Sequence, residues 1–198
     1  MVITDPALLK GRDAVDVLRQ AVAGGATIVQ VRWKDGTPAE ILELTRALVA
    51  ALPVPVLVND RVDIALAAGA AGAHLGWNDP PLAALRPHLP GDFVLGISVG
   101  TAEEAGRAAT LPADYWSIGP CFATPTKHDA GPPLAPEGFA ALARLAPEGT
   151  PVIGIGGITS GNAGEIGGAG AAGVAVVSAV LGAGNPETAA RELRTALR

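Results

Sequence analysis

A short segment of alternating polar and apolar residues, QVRWK at positions 30–34, could bind an anion. Alternate side chains of an extended strand point to opposite faces, so Gln30, Arg32 and Lys34 share one face. Val31 and Trp33 then face the opposite layer. Buried polar groups need partners, so this segment predicts either a ligand-binding strand end or a salt-bridged polar plug. Guanidinium and ammonium groups together suit a phosphate.

Two carboxylates follow the next two apolar segments. Asp60 ends PVLVND, directly after Asn59, and Asp79 follows GAHLGWN. Two carboxylates near phosphate-binding cations favour Mg²⁺, which proteins hold through one or two carboxylates together with phosphate oxygens. Two alternatives stay open: Asp63 is a competing carboxylate, and Asp60 could instead be the N-cap of the helix that follows.

Small residues end three further apolar segments. Gly157 follows VIGIG, and Ser178 follows VAVV, whose last residue is Val177. Glycine N–H groups and a small hydroxyl at these positions predict a phosphate site, although the glycines could also form only a tight turn. Ser98 ends FVLGIS, where it either meets a ligand or caps the next helix. Among the histidines, His74 is predicted to be hydrogen-bonded in the core, and His88 to lie on the surface.

The segment GPCFATPTKHDAGPP, at 119–133, is a long connection with no apolar period. Such a loop is either functional or disordered. The chain has eleven arginines but only three lysines, Lys10, Lys34 and Lys127. Two of the three lysines therefore fall in candidate anion-binding segments, where a compact ammonium group suits a diphosphate.

Short β-branched segments that alternate with Ala/Leu-rich segments must position these residues. The strands are predicted at 2–4, 27–32, 55–58, 72–75, 93–97, 114–118, 151–155 and 173–177. The helices are predicted at 12–23, 38–51, 61–69, 82–88, 101–109, 136–145, 160–168 and 186–197. Such alternation is typical of a parallel sheet. It predicts an α/β protein with a single (β/α)₈ TIM barrel, with a doubly wound open sheet as the alternative. In both folds, function lies at the carboxyl ends of the strands.

Composition excludes several classes of protein. The chain has 198 residues, 49% of them hydrophobic, which is enough for one barrel domain spanning 1–198. A net charge of -5 without any basic block argues against nucleic-acid and anionic-membrane partners. The single cysteine, Cys121, excludes a disulfide framework and a cysteine-rich zinc site. With no signal-peptide pattern at the start, the sequence predicts a cytoplasmic protein with small-molecule partners, and it does not indicate an oligomeric state.

Together these segments resemble the thiamine phosphate synthase family. The resemblance covers nearly the whole chain, from VITDP at 2–6 to VAVVSAV at 174–180. It is carried by QVRWK, by VNDRVDIALAAGAAGAHLG with Asp79, and by GIS, GPCFATPTK, IGIGGI and VAVVSA in that order. It implies a (β/α)₈ enzyme, a transferase that joins hydroxymethylpyrimidine diphosphate to thiazole phosphate and releases diphosphate.

The resemblance also implies roles for individual residues. Binding of the pyrimidine diphosphate falls to Gln30, Asn59, Ser98, Lys127 and the segment 30–34, which includes Val31 and Trp33. Thr124, Pro125, Thr126, Gly157, Val177 and Ser178 would surround the thiazole phosphate, while Asp60 and Asp79 would hold Mg²⁺. The catalytic groups would be Arg32, Lys34, Ser98 and Lys127.

The implied reaction is dissociative. Diphosphate leaves the pyrimidine, and the thiazole nitrogen attacks the resulting carbocation. The protein would neutralise the leaving group and align the two rings, and the 119–133 loop would fold over them to exclude water.

Three positions depart from the family pattern: Trp77, where glutamine is common, and Val99 and Gly100 after Ser98. Three other readings stay open. They are a thiazole tautomerase-like isomerase, a non-catalytic barrel that binds phosphate ligands, and a hydrolase with two acid/base carboxylates.

Overall fold

A computed structural model describes residues 1–124 and 131–197 of the chain. Its strands form a sheet in the sequence order β1 to β8. The strands are β1 (Val2–Ile3), β2 (Val29–Val31), β3 (Val56–Asn59), β4 (Gly72–Leu75), β5 (Val94–Val99), β6 (Tyr115–Ile118), β7 (Val152–Ile155) and β8 (Gly173–Ala175). The strand pairs β1–β2, β2–β3, β5–β6, β6–β7 and β7–β8 are parallel.

Helices separate the strands along the chain. They are α1 (Pro6–Leu9), α2 (Ala14–Ala23), α3 (Pro38–Ala51), α4 (Val62–Ala68), α5 (Leu82–Leu85), α6 (Ala102–Ala108), α7 (Ala135–Ala143), α8 (Ala163–Gly168), α9 (Ser178–Leu181) and α10 (Pro186–Ala196), with a 3₁₀ turn at Arg86–His88. Val2 forms a parallel bridge with Val176, which follows β8. This order confirms the (β/α)₈ barrel class and rules out the doubly wound open sheet, whose strand order is permuted.

Two compact units divide the chain. The first contains Met1–Ala73 and Val176–Thr195, and the second contains His74–Ala175 and the residues from Ala196 onward. No helix in the described ranges is both long and apolar enough to cross a bilayer.

Local sequence explains several helix starts in the first unit. Thr37 accepts a hydrogen bond from Glu40 N, while the Glu40 carboxylate accepts one from Thr37 N, so α3 begins with a capping box followed by Pro38. Asn185 accepts from Thr188 N at 2.9 Å ahead of Pro186. Each of these two residues therefore caps a helix whose first residue is proline.

The strands and most helices lie where the sequence predicts them, with three differences. The helices α1 and α9 were not predicted, because four residues are too few for a recognisable helical period. The strand predicted at 173–177 ends at Ala175, since Val177 already belongs to the turn that enters α9. The helix predicted at 82–88 is a short α-helix that continues as a 3₁₀ turn containing Pro87.

Cys121 lies in the second unit at the beginning of the 119–133 loop. Its side chain is fully buried, and its thiol donates to Ile118 O at 3.4 Å. Burial raises the pKa of the Cys121 thiol from 9.0 to about 11. The thiol is therefore neutral and inaccessible in the folded protein.

We expect the folded protein to resist thiol alkylation. At about pH 8, the raised pKa alone lowers the thiolate fraction roughly a hundredfold, and burial slows the reaction further. Labelling with iodoacetamide should be complete in denaturant and slow without it, as followed by intact-mass spectrometry. Equal rates under the two conditions would contradict the buried position of Cys121.

Candidate functional site

In the first unit, the segment 30–34 begins inside β2 and ends beyond it. Gln30 and Val31 are buried, Arg32 and Trp33 are half-buried, and Lys34 is exposed. Gln30 Nε2 lies 3.7 Å from the Met1 sulfur. Neither Arg32 nor Lys34 forms an ion pair with any residue that the structure describes. Within the described residues the salt-bridged plug therefore has no support, and both cations are available there to an anion.

Thr4 fixes the backbone at the end of β2. Its hydroxyl donates to Arg32 O at 2.9 Å and accepts from Arg32 N at 2.8 Å. Thr4 is buried, which shields this pair of hydrogen bonds from water. Arg32 is therefore held through its backbone, independently of what its guanidinium group binds.

Asn59 and Asp60 form a tight turn at the end of β3. Arg61 N donates to Asn59 O at 2.8 Å, and Asp60 adopts a positive φ of 64°. This conformation is uncommon outside glycine, although Asp and Asn tolerate it. The residue that caps α4 is Arg61. The alternative in which Asp60 caps this helix is therefore wrong.

Asp63, the competing carboxylate, is engaged by a neighbour. Arg61 Nε donates to Asp63 Oδ1 at 2.9 Å, and its terminal nitrogen donates to Oδ2 at 2.6 Å. This hydrogen bonding by Arg61 lowers the pKa of the Asp63 carboxyl. Asp63 is thus occupied by a structural cation, which makes it a poor candidate metal ligand.

Val177 and Ser178 enter the short helix α9. Arg12 anchors the other end of this helix: its guanidinium group donates to Leu181 O and, at 3.0 Å, to Ala183 O. Arg12 Nε also donates to Leu9 O at 3.0 Å. Arg12 therefore ties the segment after Ser178 to the end of α1, which helps to hold the short helix that Ser178 begins.

In the second unit, Ser98 lies on β5 and belongs to a buried hydrogen-bonded chain. His74 Nε2 lies 2.9 Å from Ser98 Oγ, and His74 Nδ1 lies 2.8 Å from the Tyr115 hydroxyl. The N-cap of α6 is Thr101, whose hydroxyl accepts from Glu104 N at 3.1 Å. The alternative in which Ser98 caps this helix is therefore wrong, whereas the predictions of a hydrogen-bonded core His74 and an exposed His88 are confirmed.

Asp79 closes the turn that follows β4. Its Oδ2 accepts a hydrogen bond from Gly76 N at 2.7 Å. This contact fixes the carboxylate, while its other oxygen could still bind a metal ion. Asp79 also borders a cavity of about 230 Å³ whose apolar lining includes Trp77, Leu82, Ile97 and Leu111.

Trp77 lies on the wall of this cavity. The Arg107 guanidinium carbon is 4.4 Å from the centroid of the Trp77 ring, a cation–π contact. The buried Trp77 Nε1 has no hydrogen-bond partner in the part of the chain that the structure describes. The indole is thus held among residues of α5 and α6 by apolar contact and by Arg107.

The beginning of the 119–133 loop packs against Gly156 and Gly157. Both glycines have positive φ, 93° and 65°, and a Cβ at Gly157 would lie 2.5 Å from Ala123 O. Phe122 N donates to Gly156 O at 3.0 Å. The glycines therefore do more than form a turn, because they admit the backbone that leads to Thr124. Pro125, Thr126 and Lys127 lie outside the described residues.

Two residues that support these segments were missed by the sequence analysis. Asn162 Nδ2 donates to Gly157 O at 3.1 Å, and Asn162 Oδ1 accepts from Thr159 N at 2.8 Å. Thr4 is the second. An asparagine shortly after Gly-Gly was a readable turn signal, but the contact between Thr4 and Arg32 spans two strands and leaves no local pattern.

Within residues 1–124 and 131–197, no group of three or more His, Cys, Asp or Glu side chains could hold a metal ion.

Comparisons with known proteins agree with this arrangement. A family model described as thiamine monophosphate synthase matches residues 1–180. A thiamine-phosphate synthase of Roseiflexus sp. (strain RS-1) is 44% identical over 99% of this chain and 84% of its own length. Another, of Solidesulfovibrio magneticus, is 48% identical over 97% of this chain and 92% of its own. A solved structure of thiamine phosphate pyrophosphorylase from Pyrococcus furiosus has a TM-score of 0.89 and 36% identity, and the match covers 99% of this chain and 93% of that one.

The buried His74 should make the stability of the protein sensitive to acid. Burial lowers the pKa of His74 from 6.5 to about 4, an effect that the negative charge of Asp79 partly opposes. Between these two values, the unfolded chain binds a proton that the folded protein does not. The contribution of the neutral His74 to the free energy of unfolding is therefore fully present above pH 6.5 and falls as the pH decreases. Near pH 4 this contribution is reduced by about 3 kcal/mol.

Urea denaturation of the wild type and of His74→Gln from about pH 7.5 to about pH 4 tests this expectation. The difference in the free energy of unfolding between the two proteins should shrink as the pH decreases. The exposed His88→Gln serves as the control and should follow the wild type. A difference that does not change with pH would contradict a buried, neutral His74.

Proposed function

The chain belongs to the thiamine monophosphate synthase family, and from that premise we propose how its residues carry out the reaction. The enzyme is a thiamine-phosphate synthase, a transferase that joins hydroxymethylpyrimidine diphosphate to thiazole phosphate. The observation that carries our proposal is the position of Arg32 and Lys34. These cations follow β2 with no ion-pair partner among the described residues, which suits them to the diphosphate.

We assign the first half of the mechanism to neutralisation of the leaving group. The bond between the pyrimidine CH₂ group and the diphosphate oxygen breaks, the electron pair leaves with the diphosphate, and a pyrimidine carbocation remains. Arg32, Lys34 and Lys127 stabilise the departing charge, since oriented cations favour a state in which negative charge develops. Gln30, Asn59 and Ser98 hold the same substrate, together with Val31 and Trp33 of the segment 30–34.

The second half requires the thiazole phosphate to be held for attack. We assign its phosphate to Gly157, Val177 and Ser178, and its neighbourhood to Thr124, Pro125 and Thr126. The positive φ of Gly157 and the contact of its backbone with Ala123 support the assignment, because they bring the chain before Thr124 next to Gly157. The thiazole nitrogen then donates its electron pair to the carbocation, forming the new C–N bond of thiamine phosphate. Correct alignment of the two rings supplies much of the rate acceleration.

Asp60 and Asp79 are our proposed ligands of Mg²⁺. The two oxygen donors fit this ion: Arg61 engages the competing Asp63, and Asp79 is fixed by Gly76 N through one oxygen only. When bound, Mg²⁺ would add positive charge beside the diphosphate oxygens. We further propose that residues 1–198 form a single functional domain, and that the protein acts in the cytoplasm on small molecules, without nucleic-acid or membrane partners.

The proposed function predicts two products formed in equal amounts. Purified protein given both substrates and Mg²⁺ should release one diphosphate for each thiamine phosphate, and chelation of Mg²⁺ should lower the rate by more than tenfold. Chromatography of the thiamine phosphate and a coupled diphosphate assay measure the two. Binding of thiazole phosphate without diphosphate release would instead support a tautomerase-like isomerase or a binding protein, and hydrolysis without coupling would support a hydrolase.

Lys127→Ala should lower kcat/KM for the diphosphate substrate by about a hundredfold, because one charge-assisted hydrogen bond to the leaving group is lost. KM for thiazole phosphate should change little. Lys10→Ala is the matched control, since Lys10 is an exposed lysine at the end of α1. Equal kinetics for the two variants would remove Lys127 from the mechanism.

A further inference from the structure

The hydrogen-bonded chain of Ser98, His74 and Tyr115 depends on which of two tautomers His74 adopts. His74 is 7% exposed, and burial keeps its imidazole neutral, so one ring nitrogen carries a hydrogen and the other carries a lone pair. Nδ1 faces the Tyr115 hydroxyl at 2.8 Å, and Nε2 faces Ser98 Oγ at 2.9 Å. The choice of tautomer therefore decides whether Ser98 accepts a hydrogen from His74 or donates one to it.

The acidity of the two hydroxyl groups favours one arrangement. A phenol has a pKa near 10, far below that of a serine hydroxyl, so Tyr115 is the stronger donor. Tyr115 then donates to Nδ1, Nε2–H donates to Ser98 Oγ, and the Ser98 hydrogen is free to point elsewhere. In the reverse arrangement, the Ser98 hydroxyl would donate its only hydrogen to His74 and could then only accept a hydrogen bond from a substrate.

We infer that His74 and Tyr115 are positioning residues that make the Ser98 hydroxyl a hydrogen-bond donor to the diphosphate substrate. The inference rests on the proposed role of Ser98 in binding that substrate. Ionised diphosphate oxygens accept hydrogen bonds and do not donate them, so a serine with a free hydrogen fits them and a serine without one does not. Neither His74 nor Tyr115 needs to touch the substrate.

The packing of Tyr115 keeps this arrangement rigid. Gly96 pairs in register with Tyr115, and a Cβ at Gly96 would lie 2.2 Å from the Tyr115 ring. The absence of a side chain at Gly96 is thus what admits the phenol. The rings of His74 and Tyr115 are tilted by 32° with centroids 5.5 Å apart, so the phenol cannot turn away without displacing the imidazole.

The test compares Tyr115→Phe, Ser98→Ala and the double variant. Tyr115→Phe keeps the ring and removes only the hydroxyl group. We expect it to raise KM for the diphosphate substrate about tenfold, the cost of a weakened hydrogen bond to a charged group, while KM for thiazole phosphate stays unchanged. The double variant should be no worse than Ser98→Ala alone, because Tyr115 acts only through Ser98.

The wild-type protein provides a second measurement that needs no variant at these positions. NMR of the ¹⁵N-histidine-labelled protein distinguishes a protonated Nε2 from a protonated Nδ1. The chain has three histidines, and loss of one signal in His88→Gln helps to assign that of His74. A protonated Nε2 with a bare Nδ1 is expected, and the opposite tautomer would overturn the inference even if Tyr115→Phe failed to fold.

The outcomes distinguish failure of the proposed role of Ser98 from failure of the positioning role of His74 and Tyr115. If Ser98→Ala leaves both KM values unchanged, the proposed role of Ser98 fails, and the inference fails with it. If Ser98→Ala raises KM for the diphosphate substrate but Tyr115→Phe does not, the role of Ser98 stands and the positioning role fails. Fully additive losses in the double variant would also overturn the positioning role, since Tyr115 would then act through another group.

Discussion

Backbone hydrogen bonds between parallel strands determine where the candidate site residues on the strands lie. Gln30 pairs in register with Ile3, and Ser98 with Ser117. Since side chains alternate along each strand, a shift of one residue would move a polar group from the interior to the helical side. The polar side chains can collect at the strand ends only because this register is fixed by apolar residues elsewhere in the same strands, such as the buried Val29 and Ile97.

The two units hold the polar residues at their strand ends by different hydrogen bonds. In the first, Thr4 holds the backbone of Arg32 through two hydrogen bonds, independently of what the guanidinium group binds. In the second, buried neutral groups do the positioning, with His74 linking Tyr115 to Ser98. A network of neutral groups costs less free energy to bury than an ion pair. The charge in this unit is carried by other groups, such as Asp79.

Much of this arrangement could be predicted from the sequence, because the signals are local. Alternating apolar segments located the strands, and the Thr-Pro and Asn-Pro pairs at the starts of α3 and α10 are local signals of a helix N-terminus. The errors came from short elements and from turns with more than one solution. Asp60 had the residue type of an N-cap, yet its positive φ places it in a turn before the helix. Ser98 was ambiguous because its partner, His74, is 24 positions away. Contacts between strands leave no periodic trace in one sequence.

The hydrogen bonds at the base of the 119–133 loop carry a consequence for how this protein can change. Leu134 N donates to Pro120 O at 2.8 Å and Ala135 N donates to Cys121 O at 3.0 Å, so the two ends of the segment are joined to each other. These hydrogen bonds already hold the two ends of the loop together. Each residue added between them therefore costs little further loop-closure entropy. Residues inserted between these hydrogen-bonded ends should therefore leave β6 and α7 undisturbed, whereas the residues at the base, such as the buried Cys121, cannot be exchanged freely.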